Sequence, residues 1–264
     1  MYISTVHREL LEHNGLDNFD AVWNADASWI ETPNRDRGGW SGVGRIILTS
    51  SSGPVVCYLK RQKNHARRSL RHPIKGESTF TREFSIIQRL TGRGIDTLKP
   101  MLFGVCEDKG ETRAVLMTEE LRGYQSLDEL LKNGTVQAMP LRRKRQLLAA
   151  VAKFVRGMHA AGVQHRSLYA KHLFVRAENN SFAVAIIDLE KSRISLIPVL
   201  RMITDLITLN YRTPMWSRTS RLFFYRQYLG RQLNTWDKLC LRYIIARSYK
   251  SLQEQKGKRW LQLQ

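Results

Sequence analysis

Cysteine is scarce in this sequence, with three residues among 264: Cys57, Cys106 and Cys240. They are isolated from one another, whereas a disulfide framework or a zinc motif needs closely spaced pairs, so neither is expected. Free thiols in this number favour a reducing, cytoplasmic setting.

Long apolar runs are missing as well. The most apolar candidate, residues 196–211, is interrupted by Arg201 and Asp205, and a membrane-spanning helix needs about 18 uninterrupted apolar residues. No transmembrane helix is therefore expected. Residues 1–9 lack a basic start followed by an apolar run, so they do not resemble a secretory signal. We expect a cytoplasmic protein that could lie on the inner membrane as a peripheral protein.

Acidic residues are few, with 23 against 43 lysines and arginines, which gives a formal net charge of +20. Such a charge favours polyanionic partners, although the alternative is a soluble protein with a basic surface. A nucleic-acid binder would carry a recognition module or stacking aromatics, and neither is visible, so no specific nucleic-acid partner is expected. The basic runs 60–75 and 142–145, with Trp216, Trp236 and Trp260, better suit an anionic, lipid-bearing surface. The alternative for the tryptophans is the core.

The first half of the chain is rich in strand patterns, which are short β-branched and apolar runs bounded by turn residues. The predicted strands cover residues 45–49, 54–60, 101–106 and 114–118. A serine and glycine turn at 50–53 joins the first two strands into a hairpin. Residues 79–90 are predicted to form a helix, because apolar side chains recur there at helical spacing, at Phe80, Phe84, Ile87 and Leu90.

Helix patterns dominate the second half, beginning with a long amphipathic helix at 141–160. Its first turn carries four basic residues, 142–145, which oppose the helix dipole and form either a solvated end or a contact with an anionic surface. A hairpin of residues 171–176 and 182–188 follows, and then several helices from residue 196. The fold is therefore predicted to be α+β and two-lobed, with a β-rich N-lobe at 1–122 and a helical C-lobe at 123–264.

Three features of the N-lobe suit the binding of phosphate groups. Gly38–Gly44 is a glycine-rich segment, predicted as a turn between strands, whose backbone N–H groups can approach a phosphate closely. Lys60 ends a strand and could neutralise phosphate charge, and Glu83 on the following helix could hold Lys60 in place. Taken singly, each has a simpler interpretation: a flexible turn, an exposed strand end and a surface glutamate.

The C-lobe contributes a histidine-containing segment, His165–Val175, and an acid at Asp188. Asp188 directly follows an apolar strand, where its carboxylate could bind hydrated magnesium, although an aspartate alone could simply form a turn. His165 and His172 could be a metal pair, but no third ligand is apparent.

The order of these features along the chain matches the phosphoryl-transfer machinery of kinases. Lys60 lies 16 residues after Gly44, Glu83 lies 23 after Lys60, and Asp188 lies 23 after His165. We therefore predict a protein-kinase-like fold that uses ATP and Mg²⁺, with a hinge at 118–121 whose backbone contacts adenine. The predicted nucleotide-binding residues are Gly39, Ser41, Gly42, Lys60, Glu83, Glu119 and Leu121.

Several stretches resemble the bacterial lipopolysaccharide kinase family, the heptose and Kdo kinases, and within it the InaA-type members. These stretches are Glu31–Val43, Ser69–Ile74 with Arg82-Glu83, Gln164–His172, Asp188–Arg193 and Asp205-Leu206. The similarity covers about residues 25–230. The resemblance implies a kinase fold, ATP with magnesium and a location at the cytoplasmic face of the inner membrane. It also implies phosphate transfer to a sugar of the lipopolysaccharide core, an anionic glycolipid.

By this resemblance, His165, Ser167, His172 and Asp188 form the catalytic group. His172 and Asp188 would hold the metal, since the family usually places histidine where protein kinases place asparagine.

Ser167 departs from the family pattern, in which an aspartate accepts the proton of the substrate hydroxyl. Serine cannot act as that base at neutral pH, and InaA-type members also lack the acid. Two hypotheses follow. The chain is a kinase of the lipopolysaccharide core, with Glu190 or His172 as a substitute base, or it is a pseudokinase, a nucleotide-binding regulator or scaffold in envelope biogenesis or stress.

Overall fold

The computed structural model describes residues 1–36, 38–67, 77–108, 110–213 and 215–261. Two compact units are present: residues 1–88 with 98–122, and residues 89–97 with the chain from 123 onwards. The predicted division into an N-lobe at 1–122 and a C-lobe at 123–264 stays a prediction. The stretch 69–74 and the second half of the basic run 60–75 fall largely outside the described residues, as does the side chain of Trp260.

The first unit is built around an antiparallel sheet. Its elements are β1 (Tyr2–Ile3), α1 (Arg8–His13), α2 (Phe19–Asn24), β2 (Ser28–Trp29), β3 (Asn34–Asp36), β4 (Gly39–Leu48), β5 (Val55–Lys63), β6 (Ala66–Arg67), β7 (Glu77–Ser78), α3 (Thr79–Thr91), β8 (Pro100–Asp108) and β9 (Glu111–Glu119). Seven strands form the main sheet in the order β1-β8-β9-β5-β4-β2, with β3 also paired to β4. The predicted hairpin at 45–60 is confirmed as β4 and β5, which are both longer than expected.

The predicted glycine-rich turn is wrong in its placement. Residues 39–44 lie inside strand β4, where Gly39 pairs with Asp36 of β3 and residues 40–44 pair with β5. Gly38 adopts a positive φ of 76°, as a turn residue does. A Cβ on Gly42 would lie 2.6 Å from the ring of Trp29, and one on Gly44 would lie 2.8 Å from Ala27. These glycines therefore allow close packing against β4.

The predicted helix at 79–90 is confirmed as α3, and its apolar residues are buried. Phe84 stacks on Phe103 of β8 with ring centroids 4.5 Å apart, and its other neighbour is Tyr2 of β1. Aromatic pairs of this kind add to the burial of apolar area. The helix is thus held against the edge of the sheet formed by β1 and β8.

The second unit is mainly helical. Its elements are β10 (Gln125–Ser126), α4 (Leu127–Lys132), α5 (Thr135–Ala138), α6 (Leu141–Ala160), β11 (Val163–Gln164), a 3₁₀ turn (Ala170–His172), β12 (Leu173–Ala177), β13 (Phe182–Ile186), β14 (Arg193–Ile194), α7 (Pro198–Arg212), α8 (Arg218–Leu229) and α9 (Thr235–Leu261). Strands β10, β12 and β13 form one small antiparallel sheet, and β11 pairs with β14. The mixed composition confirms the predicted α+β class. Among the described residues, every helix is too short or too polar to span a bilayer.

The long helix predicted at 141–160 is confirmed with those bounds as α6. Arg143 and Lys144, two of the four basic residues in its first turn, make contacts inside this unit. Arg143 lies over the ring of Phe182 at 4.1 Å and donates to the carbonyl of Glu178, and Lys144 donates to the carbonyl of Gln137. These contacts offset the unfavourable position of the cations at a helix N-terminus.

The predicted hairpin at 171–188 is confirmed, including the turn between its strands. The predicted start of its first strand and the predicted end of its second strand are wrong. Strand β12 begins at Leu173, because Lys171 and His172 belong to the 3₁₀ turn, and β13 ends at Ile186. The backbone N–H of His172 bonds the carbonyl of Tyr169, which closes that turn. Asp188 therefore follows the sheet in a non-strand conformation.

Candidate active site

Lys60 and Glu83 form a close ion pair in the first unit. Lys60 Nζ lies 2.6 Å from Glu83 Oε1 and 2.9 Å from Oε2. The Glu83 side chain is 0% exposed, and a buried carboxylate is strongly destabilising unless a cation accompanies it. The ion pair thus links strand β5 to helix α3.

Polar contacts fix the start of α3 relative to β5. The Thr79 hydroxyl donates to Gln62 Oε1 at 2.7 Å, and Gln62 Nε2 donates to the carbonyl of His65 at 2.9 Å. All three groups are buried, where a satisfied hydrogen bond is worth more than at the surface. The helix position that supplies Glu83 is therefore specified by β5 itself.

The predicted phosphate-contacting residues lie on the strand next to Lys60. In the β4–β5 register, Val43 is opposite Lys60, Gly42 is opposite Arg61 and Ser41 is opposite Gln62. Gly39 lies nearer the turn, and a Cβ there would overlap the carbonyl of Lys63. The structure thus brings Gly39, Ser41, Gly42 and Lys60 to two neighbouring strands.

The predicted hinge residues follow the strand on the other side of Lys60. Glu119 ends β9 and pairs with Cys57 of β5, and its N–H donates to the carbonyl of Lys99. The N–H of Glu120 donates to the carbonyl of Val56. Leu121 comes directly after this anchored segment, so its backbone is positioned by the same sheet that carries Lys60.

A second group of residues lies in the second unit, around Asp205 of α7. Asp205 is 0% exposed, and its carboxylate oxygens accept the backbone N–H groups of His165 at 2.7 Å and Arg166 at 2.8 Å. Arg166 has a φ of 66°, a conformation that non-glycine residues avoid. The two hydrogen bonds hold the loop in this strained form.

Asp205 also connects three helices. His159 of α6 places Nε2 3.1 Å from Asp205 Oδ2, and its Nδ1 lies 2.8 Å from the hydroxyl of Tyr228 on α8. Asp205 belongs to the Asp205-Leu206 pair that resembles the family, and this resemblance implies no role for it. Local periodicity cannot reveal one, since the hydrogen-bond partners of Asp205 lie 39 to 46 residues away.

His165 is fully buried and uses both ring nitrogens inside the protein. The N–H of Ser167 donates to Nδ1, so Nε2 carries the proton and donates to the carbonyl of Ile187 at 3.1 Å. Burial lowers the pKa of His165, and the ring is neutral at pH 7. His165 thereby ties the Arg166 loop to the residue preceding Asp188.

His172 lies beside Asp188. Its Nδ1 donates to the carbonyl of Ser167 at 2.9 Å, and its Nε2 lies 3.1 Å from Asp188 Oδ2. Burial lowers the pKa of His172 to about 4, an effect that outweighs the opposing influence of the Asp188 carboxylate. In the neutral ring the Nε2 lone pair therefore faces a carboxylate oxygen. Asp188 itself has a φ of 60°, a left-handed backbone conformation that is strained for a residue other than glycine.

Two facing lone-pair groups are suited to a divalent cation. Carboxylate oxygen fits Mg²⁺, and imidazole nitrogen is accepted more readily by first-row transition cations such as Mn²⁺. Within the described part of the chain, no cluster of three or more potential protein ligands occurs. A cation here would need further ligands from a bound phosphate compound, which is how Mg²⁺ is commonly held.

Ser167 is also part of this loop, and the residue is almost completely buried. Its N–H and its carbonyl bond the rings of His165 and His172 respectively. Hydrogen bonds therefore join His165, Ser167 and His172, and Asp188, the fourth predicted catalytic residue, lies next to His172.

Known proteins are similar to this chain in sequence and in fold. Protein InaA of Escherichia coli (strain K12) is 32% identical over 177 residues, which are 67% of this chain and 79% of InaA. The lipopolysaccharide core heptose(I) kinase WaaP of the same strain is 35% identical over 131 residues, 48% of each protein, so this match spans about half of WaaP.

A solved chain described as WaaP in complex with acyl carrier protein superposes with a TM-score of 0.70, at 24% identity, covering 96% of this chain and 98% of that one. This likeness confirms the predicted kinase-like fold. A profile of the lipopolysaccharide kinase (Kdo/WaaP) family matches residues 20–228. The chain belongs to the lipopolysaccharide kinase (Kdo/WaaP) family.

Proposed function

We propose that this chain binds ATP with a divalent cation and transfers the γ-phosphate to a hydroxyl of a lipopolysaccharide core sugar, at the cytoplasmic face of the inner membrane. The observation that carries the proposal is the buried Lys60–Glu83 pair, with its 2.6 Å contact. A lysine held this way on a strand is the arrangement kinases use to bind nucleotide phosphates. Family membership supports the same reaction class.

The first unit would bind the nucleotide. Lys60 would contact the phosphates and Glu83 would keep its ammonium in position. The backbone at Gly39, Ser41 and Gly42 would approach the phosphates, and the backbone at Glu119 and Leu121 would contact adenine. Support comes from strands β4, β5 and β9, which are adjacent and carry Gly39, Ser41, Gly42, Lys60 and Glu119.

The second unit would bind the cation and the acceptor. Asp188 and His172 would hold Mg²⁺ or Mn²⁺, which neutralises phosphate charge when bound. The acceptor oxygen forms a bond to the γ-phosphorus while the bond to the bridging oxygen breaks and ADP leaves. Ser167 offers no carboxylate for the hydroxyl proton, and His172 would already use its Nε2 lone pair on the cation. That proton therefore passes to Glu190 or water, and transfer is slow.

A specific observation favours a second candidate, a nucleotide-binding regulator without transfer. Ser167 stands where family kinases carry an acid, and it is buried among backbone contacts. A buried serine can maintain the loop without taking part in chemistry. In this case nucleotide binding would be retained and would bias the conformation that partners recognise. An acyl carrier protein is one candidate partner, because the similar WaaP chain is described in complex with one.

The test measures binding and transfer separately. Purified protein receives ATP and Mn²⁺ or Mg²⁺, and binding is followed by the shift in melting temperature. Labelled ATP is then supplied with intact or delipidated lipopolysaccharide core. Lys60→Ala should abolish the shift, whereas Lys63→Ala should retain it, because Lys63 lies on the same strand and pairs with partly exposed Glu111.

Each outcome distinguishes between the kinase and the nucleotide-binding regulator or excludes both. Transfer that needs Lys60 supports the kinase. Binding that needs Lys60, without transfer to any core acceptor, supports the regulator. A chain that binds no nucleotide overturns both.

A further inference from the structure

The chain leads into helix α7 with five consecutive apolar residues, all of them exposed. Leu196 is 90% exposed, Ile197 is 60%, and Val199 and Leu200 are each 40%, with exposed Pro198 between them. We call residues 196–200 the apolar tip. Exposed aliphatic residues scattered singly are ordinary, but a contiguous set of this kind marks an interaction surface.

The backbone on both sides of the apolar tip is fixed. Ile194 pairs with Val163 in the β11–β14 ladder, and the N–H of Ser195 donates to the carbonyl of Gly162 at 3.0 Å. The buried guanidinium of Arg201 donates to the carbonyl of Ser195. The exposure is therefore a property of an anchored segment, and the protein presents these side chains to its surroundings.

Cations accompany the apolar tip. Over residues 189–204 the basic residues are Lys191, Arg193 and Arg201, while Glu190 is the one acid. Lys191 and Arg193 are exposed, and Arg193 is held by its hydrogen bond to Gln164 at 2.8 Å. Exposed aliphatic groups next to cations are the combination that binds the interface of an anionic bilayer.

We propose that the apolar tip enters the acyl region of an anionic lipid bilayer while Lys191 and Arg193 contact the headgroups. A lipid surface fits better than a folded protein partner, because the foremost side chain protrudes almost fully and a fluid bilayer can deform around it. This surface is separate from the basic runs and the tryptophans that the sequence indicated. It is therefore a specific membrane contact in addition to the attraction expected from the net positive charge.

The position of the apolar tip has a consequence for the acceptor, and this step rests on the proposed function. Leu196 lies eight positions after Asp188, which limits the distance between their Cα atoms to at most about 28 Å. Ser192, between them, is buried and directs its hydroxyl toward the carbonyl of His165. The acceptor hydroxyl would thus belong to an amphiphile whose sugars lie close to the bilayer surface.

The experiment uses the full chain and sedimentation with vesicles of phosphatidylglycerol and phosphatidylethanolamine, compared with pure phosphatidylcholine. The double variant Leu196→Ser/Ile197→Ser should lower partitioning onto anionic vesicles by about tenfold or more, because apolar side chains lose their transfer into lipid. The matched control is Val6→Ser/Ile47→Ser, which removes two aliphatic side chains that are 85% and 54% exposed. It should partition like the unchanged protein.

A dye attached to the tip gives a second measurement. Cys57 and Cys240 are buried, so Leu196→Cys in a Cys106→Ser background offers one accessible thiol for an environment-sensitive dye. Its emission should shift to shorter wavelength on anionic vesicles. The unchanged protein, labelled at Cys106, should show no such shift.

The proposal is overturned if the tip variant still binds vesicles fully or if the control variant loses as much binding. It is also overturned if the tip variant loses self-association or binding to an acyl carrier protein while vesicle binding is unchanged. The ATP-induced melting shift is measured in every variant. It should be the same in all of them, so a failure of nucleotide binding remains distinguishable from a failure of membrane binding.

Discussion

Asp205 holds Arg166 in a left-handed conformation. The carboxylate accepts the N–H of Arg166 at 2.8 Å, and φ of Arg166 is 66°. Such a conformation costs about 1–3 kcal/mol, and hydrogen bonds to a buried carboxylate are strong enough to offset it. The loop that carries Ser167 is therefore shaped by a residue on α7.

Replacing Asp205 should show this dependence. Asp205→Asn keeps the size of the side chain but replaces one acceptor with an NH₂ donor, so one backbone N–H loses its partner. We expect the free energy of unfolding to fall by roughly 2–4 kcal/mol, measured by denaturant titration. The control Asp128→Asn removes a partly exposed i,i+4 pair with Lys132 and should cost less than about 0.5 kcal/mol. Equal losses in the two variants would contradict the role assigned to Asp205.

Glu83 should affect nucleotide affinity through Lys60. Glu83→Gln leaves a neutral side chain that no longer fixes the ammonium, so the Kd for ATP should rise about tenfold, which corresponds to about 1.4 kcal/mol. Isothermal titration calorimetry measures this directly. Glu111→Gln breaks the comparable pair with Lys63 and should leave the Kd unchanged. An unaltered affinity in the Glu83 variant would refute the positioning role.

The facing lone pairs of His172 and Asp188 predict a preference among cations. With a non-hydrolysable ATP analogue, Mn²⁺ should bind more tightly than Mg²⁺, since Mn²⁺ accepts an imidazole nitrogen more readily. Electron paramagnetic resonance of Mn²⁺, with Mg²⁺ as competitor, gives both affinities without any turnover. His172→Asn should reduce the preference, whereas His13→Asn, on the surface, should not. A preference that persists without the His172 ring would exclude it as a ligand.

The buried histidine predicts how stability depends on pH. The pKa of His172 is about 4 when folded and about 6.5 when unfolded, so below pH 6.5 the unfolded chain binds the extra proton. The contribution of neutral His172 to the free energy of unfolding is complete above pH 6.5 and is lost as pH falls towards 4. The loss between pH 7 and pH 5 is about 2 kcal/mol.

Urea unfolding of metal-free protein at both pH values measures this loss. His172→Gln should show a correspondingly smaller difference between them. If the variant and the unchanged chain lose stability equally, His172 is not the group responsible.

An acid at position 167 should restore the missing proton acceptor. If the chain is a kinase, Ser167→Asp should raise transfer to the core acceptor by about a hundredfold, the usual contribution of a general base. The control Ser181→Asp places the same charge in the exposed β12–β13 turn and should have no effect. Melting temperature shows whether the variant is folded. A folded variant without any gain would indicate that proton removal does not limit the reaction.

Much of the fold could be predicted because it depends on local periodicity. Helix α6 has the predicted bounds, and the predicted apolar side of α3 is buried. The pairing of Lys60 with Glu83 could also be predicted, because a lysine at a strand end and a glutamate on the helix that follows can form an ion pair.

Other features depend on contacts that a local pattern does not contain. The role of Asp205 requires knowing that α7 passes next to the N–H groups of residues 165 and 166. The exposure of the apolar tip could not be predicted, because Leu196–Leu200 has the composition of an ordinary buried helix. Composition alone does not reveal which side chains face outward. The β-branched and aromatic residues after His172 predict that it begins a strand, whereas it lies in the 3₁₀ turn.

The glycines of β4 bear on how relatives of this chain should be compared. Gly42 and Gly44 are required by the approach of Trp29 and Ala27, whether or not a nucleotide binds nearby. A relative that has lost ATP binding during evolution would still be under selection to keep them. Retention of this glycine pattern among homologues would therefore report a conserved strand contact, and loss of the lysine opposite Val43 would be the better sign of a lost nucleotide function.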